Sequence, residues 1–316
     1  MKLVTFKYQG KQGFGFVIGD RLYEPSKLLP EVCSILTNIE NFLKSCEVSL
    51  DLIRKCVDFV YQHKNDTDLL EKLSFALGEI AYMPPIPNPP LICGLAGNST
   101  TSWRKQRSRI PDYPVAYLRP ISALIGHNEK VAIPKNYGTF RCGAELGVVI
   151  KKEAFRIEEE EAMNYVLGYT IVNDMTSDSW KEYLLELYGD NSKIRFSGLL
   201  ATSYYARSTD SFCPIGPWIV TKDEIPDPYN LLVYSKWNGI EKDRSFSNSM
   251  IIGIERTISF LSHMVPLYPG SIIHMGTMGV DGYTVLPEHF CGQNNFMEIE
   301  IERIGVLRNY VFLLEK

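Results

Sequence analysis

Hydrophobic and polar residues alternate along the first 28 positions of the chain. Val4 and Phe6 fall on one side of an extended backbone, and Thr5 and Lys7 fall on the other. A period of two is typical of β-strands, because successive side chains of a strand point to opposite faces. The pattern predicts strands joined by tight turns over residues 1–28.

Three glycines in this segment, Gly13, Gly15 and Gly19, form the pattern GxGxxxG. A dinucleotide-binding loop has the spacing GxGxxG, follows a buried strand and opens a helix. Here Leu22 and Tyr23 continue a strand-like pattern after the glycines. We therefore interpret the glycines as part of a hairpin and not as a cofactor loop.

The hydrophobic period changes to that of a helix over residues 31–80. Apolar residues recur three or four positions apart in three runs, which begin at Ile35, Leu52 and Leu69. This spacing predicts two or three amphipathic helices whose apolar faces are packing surfaces.

A proline-rich segment, MPPIPNPP at 83–90, follows these helices. Proline lacks the backbone N–H that a helix needs and stiffens an extended chain, so the segment is typical of a linker. We place a domain boundary there. The sequence thus predicts a small N-terminal domain over 1–88, with strands and then helices, and a larger domain over 91–316.

The larger part is rich in strand-like segments, among them KVAIP, ELGVVIKK, YTIVND, PWIVT and GSIIHMG. Two helices are predicted to interrupt them, one that opens with the acidic run at 158–161 and one over 250–261. The predicted fold class is therefore α+β and dominated by strands.

Composition excludes several classes of protein. The chain has 316 residues, 45% of them hydrophobic and 22% charged, and a net charge of −4, which is ordinary for a globular protein and argues against a nucleic-acid partner. No apolar run predicts a membrane helix, and the N-terminus lacks the apolar stretch of a signal peptide. The 7 cysteines include no CxxC pair, which favours reduced thiols and a cytoplasmic location.

Three common catalytic motifs, the P-loop, HExxH and GxSxG, do not occur in the sequence. Two carboxylates adjoin apolar strand segments instead: Glu145 within GAELGVVI and Asp174 directly after YTIVN. Burying a carboxylate is unfavourable unless it is paired or bound to a metal ion. The residues alone leave both interpretations open, a salt-bridged structural carboxylate or a reactive site.

Six consecutive segments resemble the core of the fumarylacetoacetate hydrolase family: PVAYLRPISALIG, AELGVVIKK, AMNYVLGYTIVNDMTSDS, SFCPIGPWIVTKDEIPDPYNL, YPGSIIHMGT and EIEIERIGVLRNYV. The resemblance runs from about Ile92 to the C-terminus and implies a mixed β-roll with a barrel-like core, a small N-terminal α/β domain and a homodimer. It also implies a small-molecule substrate, an oxo-acid or β-dicarbonyl. Its enolate would be stabilised by Mg²⁺ or Mn²⁺, with no organic cofactor and no membrane or nucleic-acid partner.

The family holds its metal with two glutamates two residues apart and an aspartate further along. The second glutamate corresponds to Glu145 and the aspartate to Asp174, whereas Gly143 stands at the position of the first glutamate. Losing one carboxylate lowers the affinity for a divalent cation without abolishing it. The resemblance therefore implies a weakened metal site at Glu145 and Asp174.

The resemblance also supplies candidate catalytic residues. The family's lysine corresponds to Arg207, and the threonine of its GT turn corresponds to Thr277. Lys181 adds a further positive charge at a position where the family has a glutamine. His274, in IIHMGT, is either a buried structural histidine or a replacement acid–base group.

The family's catalytic histidine and glutamate lie on a loop that corresponds to GLAGNSTTSWRKQ, which contains neither residue type. Without them, no obvious group is left to activate a water molecule. This loop and the segment PVAYLRPISALIG supply five candidate substrate-binding residues, which are Thr100, Trp103, Arg104, Arg119 and Ser122.

Three functions stay open on this basis. The first is an enzyme of a specialised pathway that acts on an oxo-acid or β-dicarbonyl through an enolate, by C–C bond cleavage, decarboxylation or tautomerisation. The missing histidine and glutamate favour the reactions that need no activated water. The second is a metal-free condensing, cyclising or isomerising enzyme, since a cationic side chain can stabilise an oxyanion directly. The third is a non-catalytic descendant that binds a small molecule.

Overall fold

A computed structural model describes most of the chain, namely residues 1–30, 35–100, 110–134, 138–179, 183, 186, 206–279, 282–286, 289, 290 and 294–314. Within these residues, no helix combines the length and the apolar character that crossing a membrane requires.

The N-terminal part contains strands and then helices, as predicted. Its strands are β1 (Lys2–Tyr8), β2 (Lys11–Ile18), β3 (Arg21–Tyr23), β4 (Ser74–Ala76) and β5 (Ala81–Tyr82). Its helices are α1 (Pro25–Leu28), α2 (Ile39–Lys44), α3 (Cys46–Gln62) and α4 (Thr67–Lys72). Strands β1, β2 and β3 pair antiparallel in succession, so the GxGxxxG pattern belongs to hairpins, and that interpretation is confirmed.

The larger part is dominated by strands, as predicted. They are β6 (Ile92–Leu95), β7 (Ala116–Leu118), β8 (Leu124–Ile125), β9 (Lys130–Pro134), β10 (Phe140–Cys142), β11 (Ala144–Ile150), β12 (Val166–Asn173), β13 (Thr176–Ser177), β14 (Cys213–Thr221), β15 (Leu232–Trp237), β16 (Ile240–Phe246), β17 (Ile272–His274), β18 (Tyr283–Val285), β19 (Asn295–Ile301) and β20 (Gly305–Leu314).

Helical segments in this part are short. The predicted helix over 250–261 is present as α5 (Ile254–Met264), which begins after Gly253. The acidic run at 158–161 opens a 3₁₀-helix, Glu159–Tyr165, and not the α-helix that we expected. Only Ala162 of this segment is buried, so the segment lacks the apolar stripe that stabilises an α-helix on a protein surface. Shorter 3₁₀ turns occupy Ile121–Ala123, Lys222–Glu224 and Ser247–Ser249.

The strands form mixed, open sheets. The largest has 12 strands, with the order β4-β3-β2-β1-β14-β12-β11-β17-β6-β7 and with β5 on β1 and β8 on β14. Two smaller sheets have the orders β13-β10-β18 and β16-β15-β19-β20-β9. Because β1 pairs with β14, the N-terminal hairpins extend the sheet of the larger part. The division into domains 1–88 and 91–316 stays a prediction.

The centre of the large sheet is deeply buried. Every residue of β11 and of β12 is buried, including Glu145 and Thr170. A carboxylate inside such an apolar layer needs partners on both of its oxygen atoms. The sheet therefore sets the conditions for the site that surrounds Glu145.

Candidate active site

A row of neighbouring residues across β11, β17, β6 and β7 creates the site. His274 pairs with Gly147 on one side and with Gly94 on the other, and Gly94 pairs in turn with Tyr117. A Cβ atom at Gly94 would lie only 2.2 Å from His274 Cε1 and 2.6 Å from Tyr117 Cζ. The glycine thus leaves the space that the imidazole and the phenol ring fill.

Glu145 is held by three donors beside this row. Its Oε2 lies 2.5 Å from His274 Nδ1 and accepts a 2.9 Å hydrogen bond from the Gly276 backbone N–H. Its Oε1 accepts a 3.0 Å hydrogen bond from the Thr277 hydroxyl. The carboxylate is only 1% exposed, and burial raises the pKa of Glu145 although His274 opposes the shift.

Asp174, directly after β12, is held by two arginines. Arg119 donates to Oδ1 through Nε at 3.0 Å and also through Nη2, and Arg207 donates to Oδ2 through Nε at 3.1 Å. Burial alone would raise the pKa of Asp174, but the two guanidinium charges hold it well below its usual range. Asp174 is therefore an ionised carboxylate between two cations.

All three guanidinium nitrogens of Arg119 donate hydrogen bonds to acceptors within the protein. Besides Asp174, its Nη1 donates to the carbonyl oxygens of Arg207 and Phe212, and its Nη2 donates to that of Met175. The side chain is 0% exposed. Its predicted contact with substrate stays a prediction, and in the structure its partners are the backbone and Asp174.

Arg207 is more open. Its guanidinium carbon lies 4.5 Å from the centre of the Tyr117 ring, and its side chain is 20% exposed. Only its Nε bonds to Asp174, and the terminal nitrogens have no acceptor in the part of the chain that the structure describes. These two nitrogens are free to donate to a bound anion.

Two buried polar atoms next to Gly94 have no partner among the described residues: Tyr117 Oη and His274 Nε2. An unpaired buried hydroxyl or imidazole nitrogen is rare and indicates a bound water or ligand. Sequence patterns do not single out Tyr117. The available signal is its position two residues before Arg119, which puts both on the same side of an extended chain.

The structure brings together six of the predicted site residues: Arg119, Glu145, Asp174, Arg207, His274 and Thr277. Thr100 is half-buried and follows Ser99, whose hydroxyl donates to the Gly279 carbonyl at 2.9 Å. Ser122 is exposed in the turn after Arg119. Trp103, Arg104 and Lys181 lie outside the described residues.

The residues also allow a test of the predicted divalent cation. Glu145, Asp174 and His274 place potential ligand atoms within 4.8 Å of one another. However, a Cβ atom at Gly143 would lie 2.7 Å from Thr277 Oγ1, so a third carboxylate there would require the Thr277 side chain to move.

All four oxygens of the two carboxylates accept hydrogen bonds from protein donors, and two arginines adjoin Asp174. The two guanidinium charges beside Asp174 therefore oppose a divalent cation in this arrangement. The predicted Mg²⁺ or Mn²⁺, weakened by Gly143, stays a prediction.

Known proteins resemble this chain over most of its length. The family model for the fumarylacetoacetate (FAA) hydrolase C-terminal domain matches residues 92–312. A mitochondrial oxaloacetate tautomerase of Bos taurus is 29% identical over 94% of this chain and 84% of its own. An uncharacterised protein of Methanocaldococcus jannaschii is 34% identical over 77% of this chain and 91% of its own.

Among solved structures, maleylpyruvate hydrolase from Sphingobium sp. SYK-6 in complex with manganese(II) and pyruvate has a TM-score of 0.71. It is 21% identical and covers 99% of each chain. This likeness shows that the fold is shared.

Proposed function

Because the chain belongs to the fumarylacetoacetate hydrolase family, we propose that it is an enzyme that interconverts the keto and enol forms of a 2-oxo acid. The observation that carries the proposal is that a buried carboxylate lies near an open guanidinium. Glu145 contacts His274, and both lie within 4.8 Å of Asp174, which binds Arg207. A base and a cation are the two groups that enolisation of an anionic oxo-acid requires. The oxaloacetate tautomerase of Bos taurus supports this choice of reaction.

Arg207 binds the substrate. Its two open nitrogens form a planar fork that matches a carboxylate, and the Tyr117 ring beneath holds the guanidinium in place. Arg119 positions Asp174, and Asp174 fixes the Nε edge of Arg207 so that the other edge faces the substrate. The positive charge also stabilises the negative charge that develops on the carbonyl oxygen of the substrate.

Glu145 moves the proton. Its Oε2 is fixed by two donors, whereas Oε1 accepts only from the Thr277 hydroxyl, which can rotate away. When the C–H bond next to the carbonyl breaks, Oε1 takes the proton and the electron pair forms the enolate double bond. Glu145 then returns this proton to the enolate oxygen, which gives the enol and restores the carboxylate. The raised pKa of Glu145 suits a base that later returns its proton.

Tautomerisation needs no activated water, and this agrees with the absence of histidine and glutamate from GLAGNSTTSWRKQ. Cleavage or decarboxylation of the same enolate precursor would be the alternative outcome. The homodimer, the cytoplasmic location and the specialised pathway are further proposals that rest on the family resemblance and on the cysteine pattern.

The test is the rate at which the enol absorbance of oxaloacetate decays in the ultraviolet, with Glu145→Gln as the variant. Glutamine keeps the shape of the side chain but cannot take the proton, so the rate should fall by about 10²–10⁴-fold. Glu298→Gln is the matched control. Glu298 is also a buried carboxylate, but it and its partner Arg308 lie on a different sheet from Glu145. Equal rates for the wild type and Glu145→Gln would overturn the assignment.

A further inference from the structure

Each of the four carboxylate oxygens of the site already accepts a hydrogen bond from the protein. Oδ1 and Oδ2 of Asp174 accept from Arg119 and Arg207, and both oxygens of Glu145 accept from backbone or side-chain donors. A metal ion at Asp174 would compete with Arg119 and Arg207 for the carboxylate, and a guanidinium that it displaced would lose its anionic partner. Displacement of Arg119 is the harder of the two, because this side chain is 0% exposed and would keep its charge without a partner.

The carboxylate of Asp174 is already paired with two cations. Both guanidiniums, those of Arg119 and Arg207, bind it. A divalent ion would add two positive charges beside two arginines in a buried, weakly screened region. An incoming dianionic substrate, by contrast, meets the open edge of Arg207.

We propose that this site binds the anionic oxo-acid without a divalent cation, and that Arg207 supplies the positive charge. The proposal rests on the proposed function and names the ligand class as a planar 1,2-dioxygen anion, a 2-oxo carboxylate or its enolate. Arg207 presents two parallel N–H groups to such a ligand. Tyr117, whose buried Oη has no described partner, lies under the guanidinium and adds a neutral donor beside it.

Oxalate is the probe, because it mimics the planar enolate and is not turned over. The full-length protein is stripped of metal with a chelator, and oxalate binding is measured by calorimetry in the presence of that chelator. Free Mn²⁺ is followed in parallel by its paramagnetic resonance signal as protein is added. We expect oxalate to bind in the chelator and Mn²⁺ to stay free.

Arg207→Met removes the charge and keeps an unbranched stem, and it should weaken oxalate binding in the chelator at least about tenfold. Arg207→Lys keeps the charge without the fork and should recover part of the loss. Arg308→Met is the matched control, since Arg308 also pairs with a carboxylate but lies on β20. Because Arg207 is partly exposed, these variants are expected to fold.

Oxalate binding that requires Mn²⁺ or Mg²⁺ would overturn the proposal, and so would unchanged binding by Arg207→Met. The two proposals fail separately. Metal-dependent tautomerisation would leave the proposed function intact and overturn this inference. Metal-free oxalate binding without tautomerisation of any 2-oxo acid would overturn the proposed function and leave this inference intact.

Discussion

Two buried carboxylates, Glu145 and Asp174, have opposite electrostatic surroundings. Burial and the charge of Asp174 raise the pKa of Glu145, although His274 and the Thr277 hydroxyl oppose the shift, whereas Arg119 and Arg207 keep the pKa of Asp174 low. Such divergence separates a proton acceptor from a permanent anion. The sequence identifies both carboxylates, but their different roles depend on partners that are distant in the chain. The Gly276 N–H that binds Glu145 Oε2, for example, is 131 positions away.

A prediction at the scale of residues concerns Gly94. Gly94→Ala places a methyl group 2.4 Å from His274 Nε2, so the imidazole must move and its contact with Glu145 must break. Overpacking of this kind typically costs about 1–3 kcal/mol of unfolding free energy. We expect a lower thermal midpoint together with a lower turnover rate.

The control for this change is Gly78→Ala. Gly78 is exposed and a Cβ atom there meets nothing within 4 Å, so stability should hardly change. Equal thermal midpoints for Gly94→Ala and the wild type would show that the His274 and Tyr117 side chains do not need the space beside Gly94.

Elements with a long, regular pattern agree with the sequence-based predictions, and short connections differ. The alternation over 1–28 and the helical period over 31–80 both produce the expected elements. The acidic run at 158–161 produces a 3₁₀-helix in which only Ala162 is buried. A short segment with so few apolar residues does not specify an α-helix by itself.

A prediction at the scale of elements concerns the turn between β8 and β9. His127 Nδ1 accepts the backbone N–H of Arg308 on β20, and burial, together with the charge of Arg308, lowers the pKa of His127 to about 4. An unfolded histidine has a pKa of about 6.5. Between these values only the unfolded state binds the proton, so stability falls as the pH drops from about 6.5 towards 4.

The measurement is denaturant unfolding of the wild type and of His127→Asn at neutral and at acidic pH. Asparagine can accept the same N–H without titrating, so the variant should lose less stability on acidification. The difference is at most about 3 kcal/mol for a fully buried ring, and less here because His127 is half-exposed. Parallel losses in both proteins would contradict the account.

At the scale of the whole molecule, the N-terminal segment is continuous with the core of the larger part. One hydrophobic cluster contains Phe14, Phe42 and Ile53 from the first part and Val172 and Ile215 from the second. The pairing of β1 with β14 adds backbone hydrogen bonds across the same boundary. The proline-rich sequence of residues 83–90 predicts neither the shared hydrophobic cluster nor the strand pairing. It predicts only a stiff connection.

The corresponding prediction is that residues 91–316 do not fold alone. Without the N-terminal segment, β14 loses its neighbour and the apolar face of that cluster meets water. We expect the fragment to aggregate or to melt without a cooperative transition by circular dichroism.

The full chain cut within 83–90 after folding is the control, since it keeps all of these contacts. A fragment that melts cooperatively at the temperature of the full chain would establish 91–316 as an independent domain.

The strand-dominated fold, the family and the charged residues of the site follow from the local pattern and from motifs of this chain. The pattern also indicates the loss of the carboxylate at Gly143. The pairing of Arg119 with Asp174 and of His274 with Glu145 does not follow from it. These partners are 55 and 129 positions apart, and the register of β17 on β11 and the course of the chain after β7 bring them together. Local physics specifies which groups are present, and long-range packing specifies which of them share a proton or a charge.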